Sequence, residues 1–229
     1  MPKRIGILGG ISHESTIRYY ELLMRKYFEK RHDYYYPEVV ILSLDFQKFT
    51  DFENSGDRAG YIAYIMSGVE SLQRAGADFI IMAANSPHAV FDDVAAQAKV
   101  PLVSIVEATA QEAKRRAVKN ALLLGIKFTM QSPFYPDYFR KLGMNITVPS
   151  DEEQNEIDRI IFKELVVGNI RAESKKWLQN CIGQHDTDAV ILGCTELPLI
   201  LEQKDTAKTL LNPLELHVDA ALARALGEN

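Results

Sequence analysis

The 229-residue sequence is short of cysteine, with only two, and it has no excess of basic side chains. Cys181 and Cys194 lack both the Cys-x-x-Cys spacing of a structural zinc site and the pairing of a disulfide scaffold, so a reducing compartment is expected. With 26 Lys and Arg against 31 Asp and Glu, the formal charge of −5 gives no footprint for nucleic acid or for an anionic membrane. Neither is expected as a partner.

Long apolar runs and cofactor motifs are also missing. No stretch approaches the roughly 20 residues of a membrane helix, and Met1-Pro-Lys-Arg leads directly into a predicted strand, leaving no room for a signal peptide. A cytoplasmic protein is therefore expected. Because the dinucleotide fingerprint, the Gly-Lys-Ser/Thr phosphate loop, metal-ligand clusters and a Ser/His/Asp order are all lacking, we expect neither a cofactor nor a metal.

The most informative stretch is residues 188–198, Asp-Ala-Val-Ile-Leu-Gly-Cys-Thr-Glu-Leu-Pro. Its apolar run, 189–192, breaks at Gly193 and is predicted to restart as a helix near Pro198, which places Cys194 at the end of a buried parallel strand. Ligands bind at such strand ends in open α/β sheets, and a helix N-terminus just beyond stabilises a thiolate. Cys194 is therefore the candidate reactive group.

The same pattern occurs once before in the chain. Residues 78–88, Asp-Phe-Ile-Ile-Met-Ala-Ala-Asn-Ser-Pro-His, align with 188–198 without a gap, and Ala84 then corresponds to Cys194. The sequence therefore predicts an α/β protein of two similar Rossmann-like or flavodoxin-like halves with parallel sheets. We expect the halves to be related by a pseudo-twofold axis, with the active site in the cleft between them.

Three motifs together resemble the aspartate/glutamate racemase family, and in particular its aspartate-racemase-like branch. They are Gly-Cys-Thr-Glu-Leu at 193–197, Ala-Asn-Ser-Pro-His at 84–88 and Gly-Gly-Ile-Ser at 9–12. Family members usually carry Cys-Asn-Thr where this chain has Ala-Asn-Ser, so Ala84 replaces the first of two catalytic cysteines. The resemblance implies a cofactor-independent, PLP-independent homodimeric racemase that acts on a small acidic amino acid.

Domain organisation follows from the repeat and from the resemblance. In similar proteins the last helix returns to pack on the first half, which implies a first domain of residues 1–104 plus 207–229 and a second of 105–206. The segment 45–56 is long for a connection between a strand and a helix, so it is predicted to be either a lid or a plain surface loop. Similar aspartate racemases often bring an arginine to the substrate from this region, and here only Gln47 and Lys48 are available.

The candidate site contains one catalytic acid/base, Cys194, and several small polar groups suited to a carboxylate or an ammonium. The expected substrate-binding residues are Gly10, Ser12, Asn85, Ser86, Thr129 and Thr195. Glu196 and His88 are candidates for acid/base support. A carboxylate near Cys194 would raise the thiol pKa, and a histidine bonded to backbone is the structural alternative for His88. Cys181, on a helical pattern, is expected to be a buried structural thiol.

The sequence leaves the second proton-transfer group open. Racemisation removes the Cα proton on one face and returns a proton on the other, and preorganised donors stabilise the enolate. With Ala84 in place of a thiol, the second base is Ser86, His88, His13 or a bound water, or turnover is slow. Two alternatives to an aspartate or glutamate racemase remain: a single-cysteine decarboxylase of a malonate-type substrate, and a catalytically impaired amino-acid-binding homologue.

Overall fold

A computed structural model describes residues 2–228 and divides the chain into two compact α/β units. The first unit comprises Met1–Ile105 and Leu214–Asn229, and the second comprises Val106–Pro213. Each unit contains a four-stranded parallel sheet of its own. No helix within the described residues has both the length and the apolar character needed to cross a membrane.

The first unit alternates strands with helices. Its strands are β1 (Ile5–Gly9), β2 (Val39–Ser43), β3 (Phe79–Met82) and β4 (Leu102–Val103), in the sheet order β2-β1-β3-β4. Its helices up to this point are α1 (His13–Arg31), α2 (Phe46–Ser55), α3 (Arg58–Arg74) and α4 (Phe91–Gln97). A 3₁₀ turn, Ser86–Val90, links β3 to α4.

The second unit repeats this plan. Its strands are β5 (Asn120–Leu124), β6 (Asn145–Thr147), β7 (Ala189–Leu192) and β8 (Thr209–Leu211), in the equivalent order β6-β5-β7-β8. Its helices are α5 (Ile105–Arg115), α6 (Lys127–Gln131), α7 (Phe134–Lys141), α8 (Asp151–Lys163) and α9 (Ala172–Gln184). The equal sheet orders confirm the two similar halves predicted from the repeated strand ends.

The last helix, α10 (Pro213–Leu226), belongs to the first unit. Leu214, Val218 and Leu222 are buried in one cluster with Ile5 and Ile7 of β1 and with apolar residues of α1. On the other face of this sheet, a second cluster packs α3 against β1 and β3. Since helices cover both faces, the central strands can be apolar along their whole length, as they are here.

The boundary of the second unit differs from the expected one. The sequence predicts an end at residue 206, before the last strand, but β8 pairs in parallel with β7 and so completes the second sheet. The second unit therefore runs to Pro213, and only the helix beyond it joins the first unit. Strand β8 has only three residues, and so short a sequence does not indicate which of the two sheets it joins.

Helix ends follow their local sequence closely. Ser12 caps α1 by accepting a hydrogen bond from the N–H of Ser15, and Ser150 forms a capping box with Glu153 at the start of α8.

The segment 45–56, expected to be a lid or a plain loop, is instead the helix α2, capped by Asp45 and ended by Gly56 in the left-handed region. It folds as a helix because buried Phe49 packs on Tyr61 of α3, with ring centroids 5.3 Å apart.

Candidate active site

In each unit the candidate residues follow the two central strands of the sheet. The connections leave β1 and β3 in the first unit, and β5 and β7 in the second, at the edge formed by the carboxyl ends of parallel strands. Strand order reverses at this point of an open α/β sheet, and ligands bind there. Each unit therefore brings one group of candidate residues to a ligand-binding edge of its own sheet.

The group in the second unit is centred on the Cys194 thiol. The N–H of Gly193 bonds the carbonyl of Leu124 at the end of β5, which fixes the chain just before the cysteine. The Cys194 Sγ donates to Glu196 Oε2 at 2.8 Å, and the Thr195 hydroxyl donates to the same oxygen at 2.9 Å. A single carboxylate oxygen thus orients both side chains of the motif.

The structure decides between two opposing effects expected on the protonation of Cys194. The chain beyond it forms only a three-residue 3₁₀ turn, Leu197–Leu199, so no α-helix N-terminus is present to stabilise a thiolate. Burial raises the pKa of the Cys194 thiol well above its ordinary value, and the charge and hydrogen bond of Glu196 raise it further. These effects outweigh the backbone N–H groups of Thr195 and Glu196, which favour the thiolate. At neutral pH the resting group is therefore a thiol.

Thr129 supplies a second polar group in this unit. Its side chain lies against the motif, because a Cβ built on Gly193 would be 3.5 Å from Thr129 Cγ2. Within the described residues its buried hydroxyl oxygen has no hydrogen-bond partner. A buried hydroxyl usually bonds to something, so Thr129 is suited to receive a polar group of a ligand.

In the first unit, the Gly-Gly loop after β1 is occupied by internal hydrogen bonds. Gly10 has φ 78°, and a Cβ there would lie 2.3 Å from the carbonyl oxygen of Leu44, so only glycine fits. Its N–H donates to the Thr16 hydroxyl at 2.9 Å. Ser12 uses its oxygen to cap α1 at Ser15, at 3.3 Å. The loop is built to hold the start of α1 against β1.

The turn after β3 lies beside a group of interacting polar side chains that the sequence did not reveal. Ala84, Asn85 and Ser86 are all buried, and the Ser86 hydroxyl interacts with Glu53 and Tyr61 in the sense that lowers the pKa of both. The Tyr61 hydroxyl also donates to Glu53 Oε1 at 3.3 Å. Burial raises the pKa of the Glu53 carboxyl, although the bonds from Ser86 and Tyr61 act in the opposite direction. A carboxyl group that retains its proton more readily than usual thus lies next to Ser86.

Glu53 lies on α2, in the segment expected to be a loop, which is why sequence reasoning missed it. Glu53, between Phe52 and Asn54, carries no periodic signal of its own. The amphipathic spacing of Phe49 and Phe52 could have revealed the helix and hence the side of α2 that faces the sheet.

The two histidines proposed as second bases are placed differently. His88 is buried: its Nδ1–H donates to the Ala84 carbonyl at 3.1 Å, and its Nε2 accepts from the Ile105 N–H at 3.1 Å. Both ring nitrogens are therefore in use, and burial lowers the pKa of His88 to about 3. His13 is an exposed residue beside Glu14, with Nε2 2.8 Å from that carboxylate. His88 acts as a structural brace for the strand end.

The remaining cysteine agrees with its expected structural role. Cys181 is 3% exposed and packs in the apolar core of the second unit, where burial and the neighbouring Glu153 raise its pKa to about 12. Among the described residues it is a free thiol, as is Cys194.

Comparison with known proteins settles the family. The model of the family described as Asp/Glu/hydantoin racemase matches residues 8–221. The chain belongs to that family. An aspartate racemase homologue from Pyrococcus horikoshii OT3, whose crystal structure is known, is 40% identical, with a TM-score of 0.87, and the match covers 98% of this chain and 99% of that one.

Two further relatives extend the range of this racemase family. The broad specificity amino-acid racemase RacX of Bacillus subtilis (strain 168) is 27% identical over 203 residues, covering 86% of this chain and 87% of its own. The aspartate racemase of Picrophilus torridus is 24% identical, with a TM-score of 0.78, and the match covers 98% of this chain and 94% of that one. At this level of identity, the similarity to the Picrophilus torridus protein establishes a shared fold alone.

Proposed function

We propose that the protein is a cofactor-independent amino-acid racemase that acts on aspartate or glutamate, with Cys194 as one acid/base. The observation that carries the proposal is the Cys194 thiol bonded to Glu196 at a strand end of a racemase-family chain. The family model and the RacX relative support an amino-acid substrate. The bonded carboxylate supplies what a neutral thiol needs in order to become a base, namely a site for its proton.

The first half of the proposed reaction uses the second unit. The Cys194 proton passes to Glu196 Oε2, and the thiolate then takes the Cα proton of the substrate, which leaves an enolate on the substrate carboxylate. The hydroxyls of Thr129 and Thr195 are donors that stabilise this negative charge. The buried Thr129 hydroxyl, unpartnered among the described residues, is the strongest support for this role.

The second half uses the first unit. Where family members usually have a cysteine, Ala84 offers no proton, so Ser86 acts instead as a relay for the Glu53 carboxyl. Glu53 gives a proton to Ser86 as Ser86 gives its own to the second face of Cα, which completes inversion. Glu53 then regains a proton from solvent and Glu196 loses one. The raised pKa of Glu53 and its bond to Ser86 support this assignment.

The proposal is tested by assaying a panel of L- and D-amino acids for inversion, with Glu53→Gln as the decisive variant. General acid–base groups contribute about 10²–10⁴-fold, so this variant should lose racemisation by at least the lower figure. Glu70→Gln is the matched control, because Glu70 is an exposed glutamate on α3 whose ion-pair partner within residues 2–228 is Arg74, at 3.7 Å. Equal rates in the two variants would contradict the role of Glu53.

The alternatives give distinct results in the same assay. A decarboxylase of a malonate-type substrate needs only one thiol, which protonates one face of the intermediate after CO2 is lost. Cys194 suits this role, because it is protonated at rest and because Ala84 takes the corresponding position in the repeat. Release of CO2 from a malonate, without inversion of any amino acid, would establish the decarboxylase. Binding of aspartate without either reaction would establish an impaired homologue.

A further inference from the structure

Three metal-ligating side chains meet in the second unit outside the Cys194 motif. They are Glu153 in the first turn of α8, Cys181 near the end of α9 and His185, which caps the end of α9. Their ligand atoms all lie within 4.8 Å of one another. This cluster has no signature in the sequence, because it contains a single cysteine and Glu153 lies on another helix.

The two helices hold the ligands in place. Cys181 and His185 are four positions apart on α9, so they lie on the same face of the helix. Glu153 is fixed from the other side, because its Oε2 accepts the N–H of Ser150 at 2.8 Å in the capping box of α8. The arrangement therefore requires little reorganisation on binding an ion.

The donor atoms are close enough for one ion to contact all three side chains, with the thiol nearest one Glu153 oxygen and the imidazole nearest the other. Bond lengths of about 2.0–2.3 Å to nitrogen, oxygen and sulfur place neighbouring donors of a tetrahedral zinc site roughly 3.3–3.6 Å apart. Here Cys181 Sγ is 3.5 Å from Glu153 Oε1, and His185 Nε2 is 3.3 Å from Glu153 Oε2. A set of one thiolate, one imidazole and one carboxylate is of the kind that zinc prefers and that Mg²⁺ and Ca²⁺ do not.

His185 provides a second observation. Although its Nε2 lies close to the carboxylate, it is a buried nitrogen with no hydrogen bond of acceptable geometry within the described residues. The side chains of His185 and Glu153 are 18% and 20% exposed, whereas Cys181 is buried. The cluster is thus closed on the thiol side and open to solvent on the other, which leaves access for an ion and for a water ligand.

We propose that Glu153, Cys181 and His185 bind a zinc ion, with water as the fourth ligand. Binding replaces the thiol proton of Cys181, which leaves to solvent as the zinc–sulfur bond forms. The bound ion joins the start of α8 to the end of α9 and so stabilises the second unit. This site is independent of the proposed racemase activity.

The test uses the full-length protein stripped of metal and titrated with Co²⁺, whose spectrum reports thiolate ligation. One equivalent should give a thiolate-to-cobalt charge-transfer band, which Zn²⁺ then displaces. Cys181→Ser should lose the band, and His185→Gln should weaken zinc binding by at least about tenfold. Absence of the band in the wild type, or wild-type zinc affinity in His185→Gln, would overturn the proposal.

Two controls identify the site. Cys194→Ser should keep the band, and loss of the band there with retention in Cys181→Ser would place the ion at Cys194 and refute the proposal. His32→Asn is the matched control for His185→Gln, since His32 ends α1 in the left-handed region that asparagine tolerates. The melting temperature of the wild type should rise with zinc, and that of His185→Gln should rise less. Because His185 is at a helix end, this variant tests the site even if Cys181→Ser fails to fold.

Discussion

At Cys194, two sets of interactions act on one proton. The backbone N–H groups of Thr195 and Glu196 favour the thiolate, whereas burial and the Glu196 carboxylate favour the thiol, and the thiol prevails. The strand-end position of this cysteine could be predicted from 188–198 alone, since an apolar run broken by glycine marks it. Its protonation state could not, because that depends on a 2.8 Å contact and on the depth of burial.

Replacing the carboxylate should make Cys194 more reactive. Glu196→Gln removes the negative charge and so lowers the pKa of the thiol, and alkylation at pH 8 should accelerate by about tenfold for each unit of that change. Peptide mass spectrometry after timed iodoacetamide treatment measures Cys194 and Cys181 separately. The rate at Cys181 should stay constant, as should both rates in Glu70→Gln. A slower reaction at Cys194 in Glu196→Gln would contradict the statement that the carboxylate raises the pKa of the thiol.

Thr129 permits a test that separates binding from folding. Thr129→Val keeps the shape of the side chain but removes a buried hydroxyl that lacks a partner within the described residues, so stability should be unchanged or rise by up to about 1 kcal/mol. Loss of a donor to the substrate should raise KM or lower kcat. Thermal melts and chiral assays measure the two effects. A destabilised variant with full activity would show that the hydroxyl stabilises the fold and does not bind the substrate.

At the scale of elements, helix capping was predictable and helix α2 was not. The Ser12 cap and the Ser150 capping box are short sequence motifs with local causes. Helix α2 depends on Phe49 meeting Tyr61 of another helix, which is a tertiary contact. Missing the helix also meant missing Glu53, because a carboxylate in a presumed surface loop has no reason to be buried.

The final helix α10 is fixed by a buried histidine as well as by apolar packing. Nδ1 of His217 accepts from the Tyr19 hydroxyl at 2.9 Å, and its Nε2–H donates to the Val103 carbonyl at 2.9 Å. His217→Leu should therefore lower the free energy of unfolding by roughly 2–4 kcal/mol, the cost of losing two buried hydrogen bonds. Urea denaturation measures this change. A loss below about 0.5 kcal/mol would show that packing alone holds the helix.

At the scale of the whole molecule, the two units differ in how they respond to mild acid. Burial lowers the pKa of His88 to about 3 and that of His217 to about 4, and both belong to the first unit. A histidine with a depressed folded pKa stabilises the fold above its unfolded value of about 6.5, and this contribution is lost as pH falls below that value. For each of the two imidazoles, the free energy of unfolding should fall by roughly 2 kcal/mol between pH 6.5 and pH 5.

Hydrogen exchange can follow each unit separately. Between pH 7 and pH 5, amides of β1 and β3 should lose protection, after correction for intrinsic rates, more than those of β5 and β7. In the second unit, carboxyl groups with a lowered pKa, such as Glu112 at about 2, change the stability only at more acid pH. His217→Leu should lose about half of this pH sensitivity. Equal loss of protection in the two sheets would contradict the assignment.

The central claim is that Cys194 transfers the Cα proton on one face while a weaker relay through Ser86 serves the other. Deuterium wash-in from D2O tests it, measured by mass and chirality on each enantiomer of aspartate and glutamate. The account predicts that one enantiomer exchanges faster than it inverts, that Ala84→Cys raises inversion towards the exchange rate, and that Cys194→Ala abolishes both. Exchange that persists in Cys194→Ala would contradict it.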